Sequence, residues 1–210
     1  MKQSRRVAGI AWLALGVAVA GCGSAVTGGV APAVHATSRA RLSSAAPYGV
    51  RCLPAQLRLV RQGLVSEATQ QLTWVIGLRN TAAAGCGLDG YPRITLIDSH
   101  GTRLPYDVRA GGDQMLTSAA PAPVWLPPGG TAYFGINKNA CVVRDTDLAT
   151  VIRVIPPGAG SALTLRAPSK RIMDYCGRGV VGSVVDTTPV EPDIAAVFAR
   201  SLTTPSLPPR

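Results

Sequence analysis

The chain is short of the groups that catalysis most often uses. Only two of its 210 residues are histidine, His35 and His100, so an imidazole base has few places to come from. There is no Gly-x-Ser-x-Gly, Ser-x-x-Lys or His-Glu-x-x-His motif and no phosphate-cradling glycine loop, which removes the commonest hydrolase and nucleotide sites. No Cys-x-x-Cys pair occurs, so a thioredoxin-like redox site or a zinc knuckle has no support. No apolar run approaches the ~20 residues that a membrane-crossing helix needs. Nothing repeats at a fixed period, and no long amphipathic pattern competes for helix.

What is present begins at the N-terminus. Lys2, Arg5 and Arg6 precede an uncharged run from Val7 to Ala20, followed by Val19-Ala20-Gly21-Cys22. Cations, a short apolar stretch and small residues together form a secretory signal over residues 1–21. Val-Ala-Gly-Cys resembles a bacterial lipobox, which implies lipidation of the Cys22 sulfur and cleavage before it. More than one acyl chain is needed for stable anchoring, since a single one binds membranes only marginally. Ser4-Arg5-Arg6 is followed by Val-Ala-Gly rather than bulky hydrophobes, so the general secretory route is expected in place of twin-arginine export. Residues 22–50, mostly Gly, Ala, Ser, Thr and Val, are expected to form a flexible lipidated tether containing His35. The protein is therefore expected at the outer face of a cell membrane, held by lipid.

Without residues 1–21 the chain keeps 18 cations against 11 acids, a net charge of +7, and only Lys138 and Lys170 of those cations are lysine. Such a charge favours anionic lipids and acidic polymers. The arginines are scattered, which argues against nucleic acid as a partner. Four cysteines remain after Cys22, an even set that implies two disulfides in an oxidising compartment with three connectivities open. The sequential pairing, Cys52–Cys86 and Cys141–Cys176, is the expected one because it links neighbouring segments.

Leu72, Trp74, Ile76 and Leu78 alternate with Gln71, Thr73, Val75 and Gly77, the period of a strand with one buried face. Leu57 and Leu59, Arg93 to Ile97, Thr102 to Val108, Pro123 to Leu126, Thr131 to Ile136, Val151 to Ile155, Ala162 to Arg166 and Gly179 to Val185 add further short segments separated by Gly/Pro turns. The expectation is an all-β fold, an immunoglobulin-like antiparallel β-sandwich of about eight strands over residues 51–190. Residues 191–210 then read as a tail, with a short helix near Pro192 to Leu202 and a disordered end.

The arrangement resembles the actinobacterial secreted proteins and lipoproteins grouped as domain-of-unknown-function family 4232. The marks are Cys52, the strand ending at Asn80 before Cys86, Gly90-Tyr91-Pro92, Asp98 to Gly101, Leu126-Pro127-Pro128-Gly129 before Thr131-Ala132-Tyr133-Phe134, then Cys141, Pro156 and Cys176. The resemblance covers roughly 52 to 188 and implies a cysteine-paired sandwich in a cell-envelope setting. It brings no catalytic residues, no metal and no cofactor.

Three functions remain in view: a non-catalytic envelope module that binds a protein, polymer or lipid partner; a hydrolase with an unrecognised site; and a carrier of an apolar ligand between the sheets. For the second, His100 sits in Asp98-Ser99-His100-Gly101, where its neighbours are too close in sequence to make a Ser–His–Asp line. Asp145-x-Asp147 lacks the glycine and glutamate of an EF-hand. Trp74 and Trp125 both fall on apolar strand faces and are expected in the core. The first reading is preferred.

Overall fold

A computed structural model describes residues 49–66, 70–142, 146–168 and 173–199. The signal segment, Cys22, His35 and the rest of the tether before residue 49, Asp145, Lys170 and the chain from residue 200 lie outside the described residues.

Twelve strands are described: β1 (Leu57–Ser66), β2 (Gln71–Asn80), β3 (Cys86–Leu88), β4 (Arg93–Ile97), β5 (Asp107–Ala110), β6 (Val124–Leu126), β7 (Thr131–Asn139), β8 (Asp147–Leu148), β9 (Val151–Ile155), β10 (Leu163–Arg166), β11 (Asp174–Tyr175) and β12 (Val184–Thr187). The expected count of about eight is too low because β3, β8 and β11 are two or three residues long, too short to show a period. Two boundaries also move. Between Thr102 and Tyr106 the chain is irregular around Pro105, which lacks an N–H for a ladder, and the strand starts at Asp107. Residues 179–183 form a turn and a short 3-10 segment before β12.

One sheet runs in the order β1-β2-β7-β12-β5 and a second in the order β10-β9-β4, with the pairs β11-β8 and β3-β6 beside them. Every pairing between these twelve strands is antiparallel except β12 with β5. The fold is the expected all-β sandwich. Its core joins Trp74, Ile76, Leu78, Phe134, Ile136 and Val185 of the larger sheet to Ile94, Leu96, Ile152 and Val154 of the smaller. Both disulfides form as expected, Cys52–Cys86 and Cys141–Cys176.

The expectation of one buried face on β2 is corrected. Gln71, Thr73, Val75 and Gly77 are buried as well as their alternates. The reason lies far along the chain: Leu116 and Val197 lie on Val75, joined by Tyr133 and Phe198. Gly135 makes room for them, since a Cβ there would stand 2.6 Å from Leu116 Cδ2 and 2.7 Å from Val197 Cγ1. Val197 belongs to helix α1 (Ile194–Val197), which Asp193 caps by accepting from Ala196 N–H at 2.8 Å. Residues 191–199 are thus a layer on the sheet, tied by Thr117 N–H to Val197 O and by Tyr133 with Glu191.

The two staples sit at opposite ends of the long strands. Cys52 and Cys86 lie beside Asn80, the last residue of β2, whereas Cys141 follows β7 where it pairs with Gln71, the first residue of β2. Ten residues of strand separate these ends by roughly 33 Å.

Candidate functional site

At the Cys141 end, β7 finishes Asn137-Lys138-Asn139, and strand alternation sends Asn137 to the outer face and Lys138 inward. Register places Thr73, Asn137, Asp186 and Arg109 side by side across β2, β7, β12 and β5. Thr73 Oγ1 donates to Asn137 Oδ1 at 2.7 Å, and Asn137 Nδ2 donates to Gln71 Oε1 and to Asp113 Oδ2. The other Asp113 oxygen accepts from the N–H groups of Met115 and Leu116 at 2.7 and 2.8 Å. Asp113 thereby fixes both the polar row and the segment that delivers Leu116 to the outer face.

On the inner side, Lys138 Nζ donates to Asp174 Oδ1 at 3.1 Å and to Asn139 O at 2.7 Å. The lysine side chain is fully buried and the aspartate nearly so. Burial lowers the Lys138 amine from its ordinary value, and the bond to Asp174 works against that shift. Tyr106 meets Tyr175 edge-on at 5.2 Å between ring centres, and its buried hydroxyl has no hydrogen-bond partner among the described residues. Burial raises the phenol pKa, with Asp174 adding to the effect, so the hydroxyl stays protonated.

These two sides meet at a cleft of about 630 Å³. It is lined by Tyr106, Asp107, Arg109, Asp113, Lys138, Asn139, Arg178 to Val181, Ser183, Val184 and Asp186, with Asp186 directly beside Arg109 in the β12–β5 ladder. Asp107 holds Arg109 at 2.6 Å. Burial, then Asp113, raises the Asp186 pKa; Arg109 opposes this and Asp107 reinforces it. Asp186 accepts no hydrogen bond among the described residues. The cleft therefore offers the Asp186 carboxylate and the Arg178 guanidinium, which carry opposite charges, on a frame set by hydrogen-bonded strands.

The residues singled out in the sequence do not converge here, apart from Lys138. His100 is exposed in a turn where Asp98 Oδ1 accepts from the N–H groups of His100 and Thr102, both at 2.8 Å. Asp147 pairs by backbone with Tyr175, and no three His, Cys, Asp or Glu side chains form a metal-binding group among the described residues. Trp74 is in the core as expected. Trp125 is not: it is 47% exposed, lying over Gly85, because β6 presents only Val124 and Leu126 inward. Sequence reading missed Asp113, Asp174 and Asp186, and the available signal was the rarity of lysine, which makes a lysine inside a strand conspicuous.

The family model described as a domain of unknown function (DUF4232) matches residues 52–191. The chain belongs to the DUF4232 family. The match begins at the first stapled cysteine and ends at Glu191, so helix α1 lies just beyond the DUF4232 region while packing on its outer face. No curated protein and no solved structure matches the chain. No helix among the described residues is long and apolar enough to cross a membrane.

Proposed function

We propose that the chain is an exported, lipid-anchored protein of a bacterial cell envelope, of actinobacterial type. On this reading Cys22 holds it at the outer face of the membrane, and the sandwich is a non-catalytic module that binds an envelope protein or polymer. The binding site is the cleft at the Cys141 end. The observation that carries this reading is the Asp186 carboxylate, which accepts no hydrogen bond among the described residues, in a cleft that the exposed Arg178 also lines, at the end of the sheet away from Val50. Its other charged groups serve the structure: Asp113 holds three donors, Asp107 holds Arg109, and Lys138 holds Asp174. The space between the sheets, where an apolar cargo would sit, is filled by Trp74, Phe134, Ile136 and their neighbours.

The test is photocrosslinking in living cells from position 181 at the rim, where Val181 is exposed, followed by cell fractionation. The expected result is a discrete adduct in the membrane fraction, lost when Asp186→Lys and Arg178→Glu reverse the pair. Cys22→Ala is expected to move the protein to the soluble fraction. An adduct indifferent to the charge reversal overturns the cleft, and membrane retention of the Cys22 variant overturns the anchor.

A further inference from the structure

The Cys52 end carries a surface of a different kind. Val50, Leu53 and Trp125 are large apolar residues left exposed there. They are neighbours through Gly87, whose N–H donates to Val50 O, whose carbonyl accepts from Cys52 N–H, and which stands opposite Trp125 in the β3–β6 pair. Arg58 and Arg79 face each other directly across β1 and β2, a like-charge opposition that sheets disfavour unless an anion lies between. Arg61 lines with them an open cleft of about 670 Å³, its guanidinium donating to Arg166 O at 2.8 Å, and the described lining includes no carboxylate. Asn80 links the two parts, since it lines this cleft and its amide donates to the carbonyl of Leu126, next to Trp125.

An indole and aliphatic side chains beside guanidinium groups match the layered chemistry of a bilayer interface: apolar groups at headgroup depth, arginines on phosphate oxygens. The course of the chain selects the same occupant. Val50 follows Cys22 by 28 residues, and a flexible coil of that length would have a root-mean-square span of ~30 Å. That is about one length of β2, so a lipid on Cys22 keeps the Cys52 end nearer the headgroups than the Cys141 end. We infer that this surface, built on Arg58, Arg79, Leu53 and Trp125, docks on the anionic headgroups of the bilayer that holds the chain. The inference rests on the proposed anchor, and it turns the Cys141 cleft away from the membrane.

The test uses the full-length protein with Trp12→Phe, purified from bacterial membranes. It is reconstituted in brominated phosphatidylcholine vesicles with and without an equal part of phosphatidylglycerol. Trp74 is buried in the core and serves as the internal control. The expected result is quenching of Trp125 in the anionic vesicles and its reversal by added salt. Arg58→Gln and Arg79→Gln are each expected to lower the docked-to-free ratio about five-fold. Equal quenching in both vesicle types, or arginine variants that quench like the parent, overturns the docking. Intact mass of the same sample reports acyl chains on Cys22. An acylated protein without quenching overturns the docking alone; quenching without acyl chains overturns the anchor and supports the docking; neither signal overturns both.

Discussion

The two ends of the sandwich use the same covalent device in opposite surroundings. Cys52–Cys86 closes a separation of 34 residues and Cys141–Cys176 one of 35, so chain entropy assigns them almost the same worth. Around the first, both sulfurs belong to the apolar core. The nearby Asn80 is fully buried and saturated: its amide donates to the carbonyls of Ala84, Leu126 and Pro127, and its Oδ1 accepts from Ala82 N–H. Around the second, the interior holds an ion pair and a phenol with no hydrogen-bond partner among the described residues, and a cleft opens onto them. The lesson is that a staple fixes where two segments meet without deciding what they enclose. At one end the buried amide is satisfied from within, and at the other a buried phenol is left over beside an open cleft.

Three measurements bear on that contrast, the first two of similar size. Lys138→Met leaves Asp174 as an uncompensated buried charge and is expected to cost about 3–5 kcal/mol in urea unfolding. Adding Asp174→Leu is expected to restore most of it, and an equal loss in the double variant breaks the claim that charge burial dominates this end. Next, replacing each cysteine pair by alanine is expected to cost about 4 kcal/mol from loop entropy alone. The Cys52–Cys86 pair should lose roughly 1 kcal/mol more, because its sulfurs leave a hole in the core. Equal losses from calorimetry of the two variants erase the difference drawn here.

The smallest effect concerns pH. The folded state holds the Asp186 proton more tightly than the unfolded chain does, because burial and Asp113 with Asp107 outweigh Arg109. Ionised Asp186 therefore opposes folding at neutral pH. Its contribution improves as pH falls from the raised folded value into the ordinary carboxylate range. Asp186→Asn is expected to be more stable than the parent at neutral pH and to lose that advantage on acidification. Urea midpoints across the range check it, and parallel curves for the two proteins refute it.

Much of the sandwich could be read from local pattern, because alternation is a property of neighbouring residues. Trp74 and its strand and the turn at Asp98 to Gly101 follow from short stretches of chain, and the even count of four cysteines pointed to two disulfides. The failures share a cause. Val75 and Thr73 look solvent-facing until Leu116 and Val197 arrive from other parts of the sequence. Trp125 sits in a three-residue strand whose phase cannot be fixed from so few positions. Lys138 and Asp174 are 36 residues apart and nothing near either one announces the other. The cleft is built almost wholly from such distant meetings, so composition hinted at it only through an out-of-place lysine.

The place of β12 has a consequence for the order of assembly. It lies between β7 and β5, and β5 has no other neighbour in its sheet. A chain delivered N-terminus first presents Asp107–Ala110 long before Val184–Thr187, so this strand must wait unpaired until nearly the whole domain has arrived. Parallel pairing over such a span is slow to close. The waiting strand carries Asp107 and Arg109, charges that discourage it from joining a stranger's sheet. The cleft, which needs β5 and β12 together, thus forms late, followed only by the layer that residues 191–199 add to the outer face. A chain cut short before Val184 would hold most of the core and none of the finished site.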